Sequence, residues 1–391
     1  MQHFSVAERR NRLARRHLLA SRAPTNSIPE STAALVGWHA TDPATPYLSL
    51  WARIDKFTTA DLDRELYEQR SLVKHLAMRR TLWVLPAADL SIIQPAASDR
   101  VADTERKKLI ADVEKAGVAK DGTRWLKRAA VAVRAHLVEH GHASSAELRA
   151  ALPELAGTYD PAPGKSWGGE THLAPRVLTV LAVSGEMVRG PDASAWTTSR
   201  ARWVSTPTWL GSPITPAQID TARADLVRNW LRAFGPATAI DVKWWFGSTL
   251  TATRQALNTI GAVEVDLHGA AVGYALPDDL DAEPDPGPWA ALLPGLDVTT
   301  MGWFDRCWYL GDHRPQVFDT NGNGGPTAWW NGRIVGGWRQ NADAVVQLQL
   351  LEDVGRDGRK ALERKATELT QWLDGTQIRP RFPTPLSKAA V

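Results

Sequence analysis

The sequence predicts an α+β chain in which groups of helices close on short β-hairpins and a β-rich unit follows. Three stretches carry this. Thr215-Pro216 opens a helix from about Ala217 to Phe234, Gly235-Pro236 breaks it, and helices Ala239 to Phe246 and Leu250 to Ile260 meet at Gly247-Ser248. Strands Ala262 to Leu267 and Ala271 to Leu276 follow, joined through His268-Gly269-Ala270, and this order is that of a winged helix. Leu72 to Leu76 and Thr81 to Leu85 flank a basic Met78-Arg79-Arg80 turn, as a wing does. Late in the chain the pattern changes to short β-like runs punctuated by glycine, which suggests a small barrel or sheet.

The elements are expected in this order. A first helix covers Val6 to Ala20. Ser27-Ile28-Pro29-Glu30 reads as a capping box for a second helix that reaches about Val36 and stops at Gly37. A short helix lies near Tyr47 to Ile54, and Thr59 caps another from Ala60 to Gln69. In the middle, Gly141-His142-Ala143-Ser144-Ser145 leads into a helix ending near Leu152. Glu186 to Arg189 with Ala195 to Thr198 form its wing, after an insertion from Pro153 to Gly169. Pro277 to Pro288 is acidic and proline-rich, a linker pattern. The β-like runs are Asp305 to Leu310, Gln316 to Phe318, Thr327 to Trp330, Arg333 to Trp338 and Ala344 to Leu351, and a helix from about Gly358 to Leu373 closes the chain.

Composition narrows the function classes. The 391 residues suffice for two to four compact units. No window is apolar enough to span a bilayer, and the charged N-terminus lacks the apolar core of a signal peptide, so a cytoplasmic protein is expected. Cys307 is the single cysteine, which excludes an intramolecular disulfide and a cysteine-based zinc site. His140 and His142 flank Gly141 with no third ligand at useful spacing, and no P-loop, dinucleotide or zincin motif is present; no cofactor is expected. Net charge is only +3, yet Arg9, Arg10, Arg12, Arg15, Arg16 and Arg22 crowd the start while Asp278, Asp279, Asp281, Glu283 and Asp285 crowd the linker. Local basic clusters suit a polyanion, although solvated helix faces give the same composition. Eighteen tryptophans divide between core packing and contacts to bases.

Four stretches resemble the winged-helix superfamily of bacterial DNA glycosylases that includes the azinomycin-resistance enzyme and crosslink-unhooking relatives. They are Leu35-Val36-Gly37-Trp38-His39-Ala40-Thr41-Asp42-Pro43 with Pro46-Tyr47-Leu48 and Leu50-Trp51-Ala52-Arg53; Ala77-Met78-Arg79-Arg80-Thr81-Leu82; Gly235-Pro236-Ala237-Thr238; and, near the end, Leu293-Pro294-Gly295, Asp305-Arg306, Asn321 to Pro326 and Gly332 to Trp338. The resemblance implies three tandem winged-helix modules and a small C-terminal β-barrel arranged as a C-shaped clamp on DNA. The corresponding divisions are 1–86, 87–212 and 213–277 for the modules, 278–288 for the linker, and 289–391 for the barrel and terminal helix. It also implies hydrolysis of the N-glycosidic bond of an alkylated purine without strand cleavage, by a monomer whose partner is double-stranded DNA. Relatives carry Gln-aliphatic-Gln or Gln-aliphatic-Asp after the second helix; here His39 and Thr41 stand at those positions. That departure points away from simple alkylpurines and toward a bulky or cross-linked N7-alkylguanine, as self-resistance to a DNA-alkylating natural product would require.

The chemistry tolerates such a pair. An N7-alkylated guanine is already cationic and leaves readily, so the demand is to stabilise an oxocarbenium-like state and hold a water. In an extended segment, side chains two apart share a face, and neutral His39 with the Thr41 hydroxyl can grip one water; Asp42 is a reserve electrostatic group. Taken alone, a histidine after a helix stop is most often a packed or capping side chain. Arg79 and Arg80 at a wing tip, Lys243 and Arg254 about the recognition helix, Asn323 in a glycine-rich turn and Arg333 beside a strand are candidate DNA contacts, each also readable as ordinary surface chemistry. A non-catalytic winged-helix regulator or lesion-binding protein is the competing function, since both motif residues are replaced.

Overall fold

In the computed structural model, placement is described for residues 1–24, 27–165, 168–192, 194–269 and 271–388. Ala270 of the expected hairpin connection and residues 166–167 of the insertion lie outside the described residues.

Strand β1 (His3–Phe4) precedes α1 (Val6–Arg16), which Ser5 caps by accepting from the Glu8 amide. The helix stops short of Ala20, and Leu18 turns to a positive φ of 56°. In α2 (Ile28–Ala34) the expected capping box is absent: the Ser27 hydroxyl donates instead to Pro24 O at 2.6 Å. Val36 and Gly37 then take φ values of 66° and 151°, and a Cβ on Gly37 would meet Val84 O at 2.8 Å. Glycine here lets β2 (Trp38–His39) lie against its neighbour. Next come α3 (Thr45–Trp51) and α4 (Thr59–Asp63), the latter continuing as a wide turn to Glu68. Its capping box uses Thr58 and Asp61, one residue earlier than expected. The hairpin β3 (Leu72–Leu76) and β4 (Leu82–Pro86) forms around the basic turn, in a three-stranded sheet of order β2-β4-β3.

A second group has its own core. The short α5 (Leu90–Ile93) precedes it, and it holds α6 (Asp99–Lys115), α7 (Gly122–His140), α8 (Ser145–Ala151), the small hairpin β5 (Thr158–Tyr159) and β6 (Thr171–His172), and α9 (Ala174–Val183). Trp125, Ala129, Val133 and Leu137 recur at i, i+4 on α7 and pack with Leu109 and Val113 of α6. Strand β7 (Met187–Asp192) pairs with β8 (Ala201–Ser205). The strand expected at Ala195 to Thr198 is a turn instead, closed by the Thr198 amide on Ala195 O, because the β-branched and aromatic side chains that pair come later.

After α10 (Thr206–Leu210), Gln218 caps α11 (Ile219–Phe234). The helices α12 (Ala239–Phe246) and α13 (Leu250–Thr259) and the antiparallel pair β9 (Val263–Leu267) and β10 (Ala271–Ala275) follow as the local signals require. Far-off β1 adds to β9 in parallel, giving the order β1-β9-β10.

The remaining elements are β11 (Ala290–Leu293), α14 (Cys307–Leu310), α15 (Arg314–Val317), β12 (Thr327–Trp330), β13 (Arg333–Gln340), β14 (Val346–Leu350), α16 (Gly355–Leu373) and α17 (Pro385–Lys388). The expected barrel is not formed among the described residues. The strands make an open sheet of order β11-β12-β13-β14, and α16 packs against both β11 and β14, covering the face on which a barrel would close. Two expected strands, near Asp305 to Leu310 and Gln316 to Phe318, are short helices.

The architecture is therefore α+β, with one large core running from α1 to α16. Trp38, Trp83, Trp230, Trp245 and Trp329 are wholly buried. The basic start and the acidic linker hold each other in part: Arg16 pairs with Asp279 at 2.6 Å and Glu283 at 3.1 Å, and Arg12 with Asp279 at 3.1 Å, while Arg15, Asp278, Asp281 and Asp285 stay exposed. Among the described residues no helix is long and apolar enough to cross a membrane.

Candidate active site

His39 ends β2, paired with Trp83 of β4, and the Ala40 amide extends the pairing to Leu82 O at 2.7 Å. The tripeptide is extended as far as Ala40. His39 is only 3 % exposed, its ring tilted at 5.1 Å from that of Trp83. Burial, and then the charge of Arg79, lower its pKa to about 3, so the imidazole is neutral. Nδ1 faces the Thr41 amide at 3.4 Å, a long contact in which it accepts. The Thr41 side chain is half-buried; its hydroxyl oxygen accepts from the Leu82 amide at 3.2 Å.

Asp42 is buried and occupied. One carboxylate oxygen accepts from the Ala44 amide at 3.1 Å, the other from the Arg381 amide at 2.9 Å. Burial raises its pKa, opposed by those two N–H groups and by the Arg381 charge. The Arg381 guanidinium also reaches Thr41 O at 3.4 Å. The C-terminal tail thus seats on the tripeptide, which no local pattern signals. Ser49 of α3 and Arg53 just after it grip the buried Asp297 carboxylate, with the Arg53–Asp297 pair at 2.7 Å and both side chains fully buried.

The basic wing tip divides. Arg79 and Arg80 both adopt positive φ, 55° and 63°. Arg79 folds inward, its guanidinium carbon 4.0 Å from the Trp244 ring centroid, and burial lowers its pKa to about 10, with Arg306 adding to the effect. Arg80 is exposed and pairs with Glu105 at 3.1 Å. Arg306, singled out by sequence only as part of the resemblance, also lies over Trp244, at 4.8 Å. Trp245 is wholly buried while Trp244 is half-exposed. Lys243 and Arg254 are exposed on α12 and α13. Asn323 is spent on its own turn, its amide and side chain both donating to Asp319 at 2.8 Å. Arg333 is exposed and paired with Glu352 at 2.6 Å. His39, Thr41, Asp42 and Arg79 therefore come together, and the other candidates lie in exposed or self-paired positions.

Two comparisons bear on this arrangement. The fold is similar to that of the Streptomyces sahachiroi DNA glycosylase AlkZ, with a TM-score of 0.74 at 20% sequence identity, covering 97% of this chain and 99% of that one. None of the curated proteins matches. The family model described as DNA glycosylase AlkZ-like matches residues 32–372, a span holding His39, Thr41, Arg79 and Arg306, and the chain belongs to the AlkZ-like DNA glycosylase family.

Proposed function

We propose that this DNA glycosylase hydrolyses the N-glycosidic bond of bulky or cross-linked N7-alkylguanine in double-stranded DNA, acting as a monomer in self-resistance to a DNA-alkylating natural product. The observation that carries the reading is the buried, neutral His39, whose Nδ1 accepts from the Thr41 amide two residues on. The N7-alkylated base brings its own positive charge. The bond between C1′ and N9 breaks with its electron pair passing to the ring, water adds to C1′, and a proton leaves that water. A neutral imidazole orients the water and accepts its proton at Nδ1, giving up the long contact to the Thr41 amide, whereas a charged one would repel the oxocarbenium-like carbon. The Thr41 hydroxyl, whose oxygen is fixed by the Leu82 amide, holds the water from the other side. Asp42 adds negative charge behind the tripeptide and anchors the tail.

The helix, helix-turn-helix and hairpin order of 219–275, and the β3–β4 hairpin, support a reading as tandem winged-helix modules forming a C-shaped clamp on the duplex. Arg79, Arg80, Lys243 and Arg254 would then meet DNA phosphates.

The test is base release from DNA bearing a bulky N7 adduct, read as strand cleavage after alkali, for wild type, His39→Ala and Thr41→Ala. The expected result is release by wild type and its loss in the His39 variant. No release from any N7 adduct would sink the proposal, and binding without release would move the protein to the lesion-binding class.

A further inference from the structure

In the proposed hydrolysis Arg79 acts only through the charge state of His39, and the buried Arg306 and the exposed Phe304 ring have no part. Arg79, from the turn between β3 and β4, and Arg306, just before α14, converge on Trp244 of α12. The Nε of each is buried without a hydrogen-bond partner among the described residues. The carboxylate nearest in chemistry, Asp241, is already engaged: one oxygen accepts from the amides of Phe304 and Asp305 at 2.8 and 3.2 Å, the other from Thr238. Buried charges are ordinarily paired, because desolvation otherwise goes uncompensated. Both guanidiniums have lowered pKa values, with burial as the leading cause. Two like charges held close, each with a buried Nε that lacks a partner, describe a site that an anion would complete.

Beside them stands Phe304. It is 57% exposed, the one aromatic among the strongly exposed large hydrophobic side chains of the described residues. Its ring lies 6.4 Å from that of Trp244. Its backbone is fixed by Asp241, which also caps α12, so the ring projects from a rigid support. Lys243, the residue before Trp244, adds an exposed cation to the rim.

We propose that Phe304 enters the base stack of duplex DNA beside the target nucleotide, while Arg79 and Arg306 receive a phosphodiester of that same step. The inference rests on the reading of the chain as a DNA glycosylase acting in duplex DNA. Such an enzyme must extrude its target, and an apolar side chain inserted between bases keeps the vacated stack from closing. Arg79 is the nearer to solvent and touches the phosphate; Arg306, 5% exposed, supplies charge from behind.

The experiment uses a duplex with a tetrahydrofuran abasic analogue and 2-aminopurine in the adjoining position. Binding is followed by anisotropy and stacking by 2-aminopurine fluorescence. Wild type should change the fluorescence on binding. Phe304→Ala should lose that change and bind on the order of tenfold more weakly, with Phe304→Trp restoring both. Arg79→Gln and Arg306→Gln should each reduce the slope of log K against log salt by about 1. Arg306→Met should melt no lower than wild type, since it removes a buried guanidinium whose Nε lacks a partner. An unchanged fluorescence response in Phe304→Ala, an unchanged salt slope in the arginine variants, or a lower melting point for Arg306→Met would overturn the proposal. Base release is assayed alongside: its absence from wild type with the Phe304-dependent signal intact would defeat the catalytic reading and leave this one standing.

Discussion

Burial and Arg79 both oppose protonation of His39, and together they decide its state at working pH. With a pKa of about 3 in place of about 6.5, the ring stays neutral through the whole accessible range. Base release should accordingly be nearly flat from about pH 9 to about pH 5, without the acid limb an ordinary histidine base gives. A rate that halves near pH 6.5 would contradict this assignment. His39→Ala should lower the single-turnover rate by about 10²-fold or more with an unchanged far-UV spectrum. Thr41→Ala should cost less, because the water keeps its contact to the imidazole; a Thr41→Ala loss exceeding that of His39→Ala would reverse the proposed roles. The sequence shows the tripeptide and its motif position. It does not show that Asp42 is occupied by Ala44 and Arg381, since the Arg381 partnership joins residues hundreds of positions apart.

Elements defined by their own ends were legible. Thr238, Gly247 and Thr249 mark the limits of α12 and α13, and their capping bonds are made within a few residues, so local sequence decides them. Elements defined by distant partners were not. Strand β1 is two residues long and exists only because β9 is there. The run Cys307 to Leu310 has strand-like composition, yet the Asp305 carboxylate accepts from the Cys307 amide at 3.1 Å and starts a helical turn. The tail after α16 belongs to the same class: it is held by Asp42 and by Gln340, which accepts from the Ile378 amide at 2.7 Å. Asp42→Ala leaves the Ala44 and Arg381 amides without their acceptor and should cost about 1–3 kcal/mol. Limited trypsin digestion should then cut after Arg381 faster than in wild type. Equal rates would show that the tail is held elsewhere.

Across the whole molecule, three buried histidines set the acid limit. His17, His39 and His75 have pKa values lowered to about 3, 3 and 4, chiefly by burial. Above pH 6.5 neither folded nor unfolded chain carries these protons, and the groups are neutral to stability. Below it the unfolded chain takes them up and the folded chain does not, so stability should fall, by at most about 4 kcal/mol per pH unit for the three together. Denaturant midpoints measured between pH 7 and pH 4 should drop steeply, and His75→Asn should lessen the slope. An unchanged midpoint over that range would refute the account. The pairing of α1 with the acidic segment, and of β1 with β9, bears on something other than stability, namely the order of synthesis. During synthesis Arg12 and Arg16 leave the ribosomal tunnel long before Asp279 and Glu283 do. Until then β1 and α1 form a cationic segment without their docking partners, free to cling to ribosomal RNA or to another nascent chain. Translation that stalls before β9 should therefore yield fragments that sediment with polysomes, while a product that includes β9 and the acidic segment releases itself by folding β1 and α1 onto them.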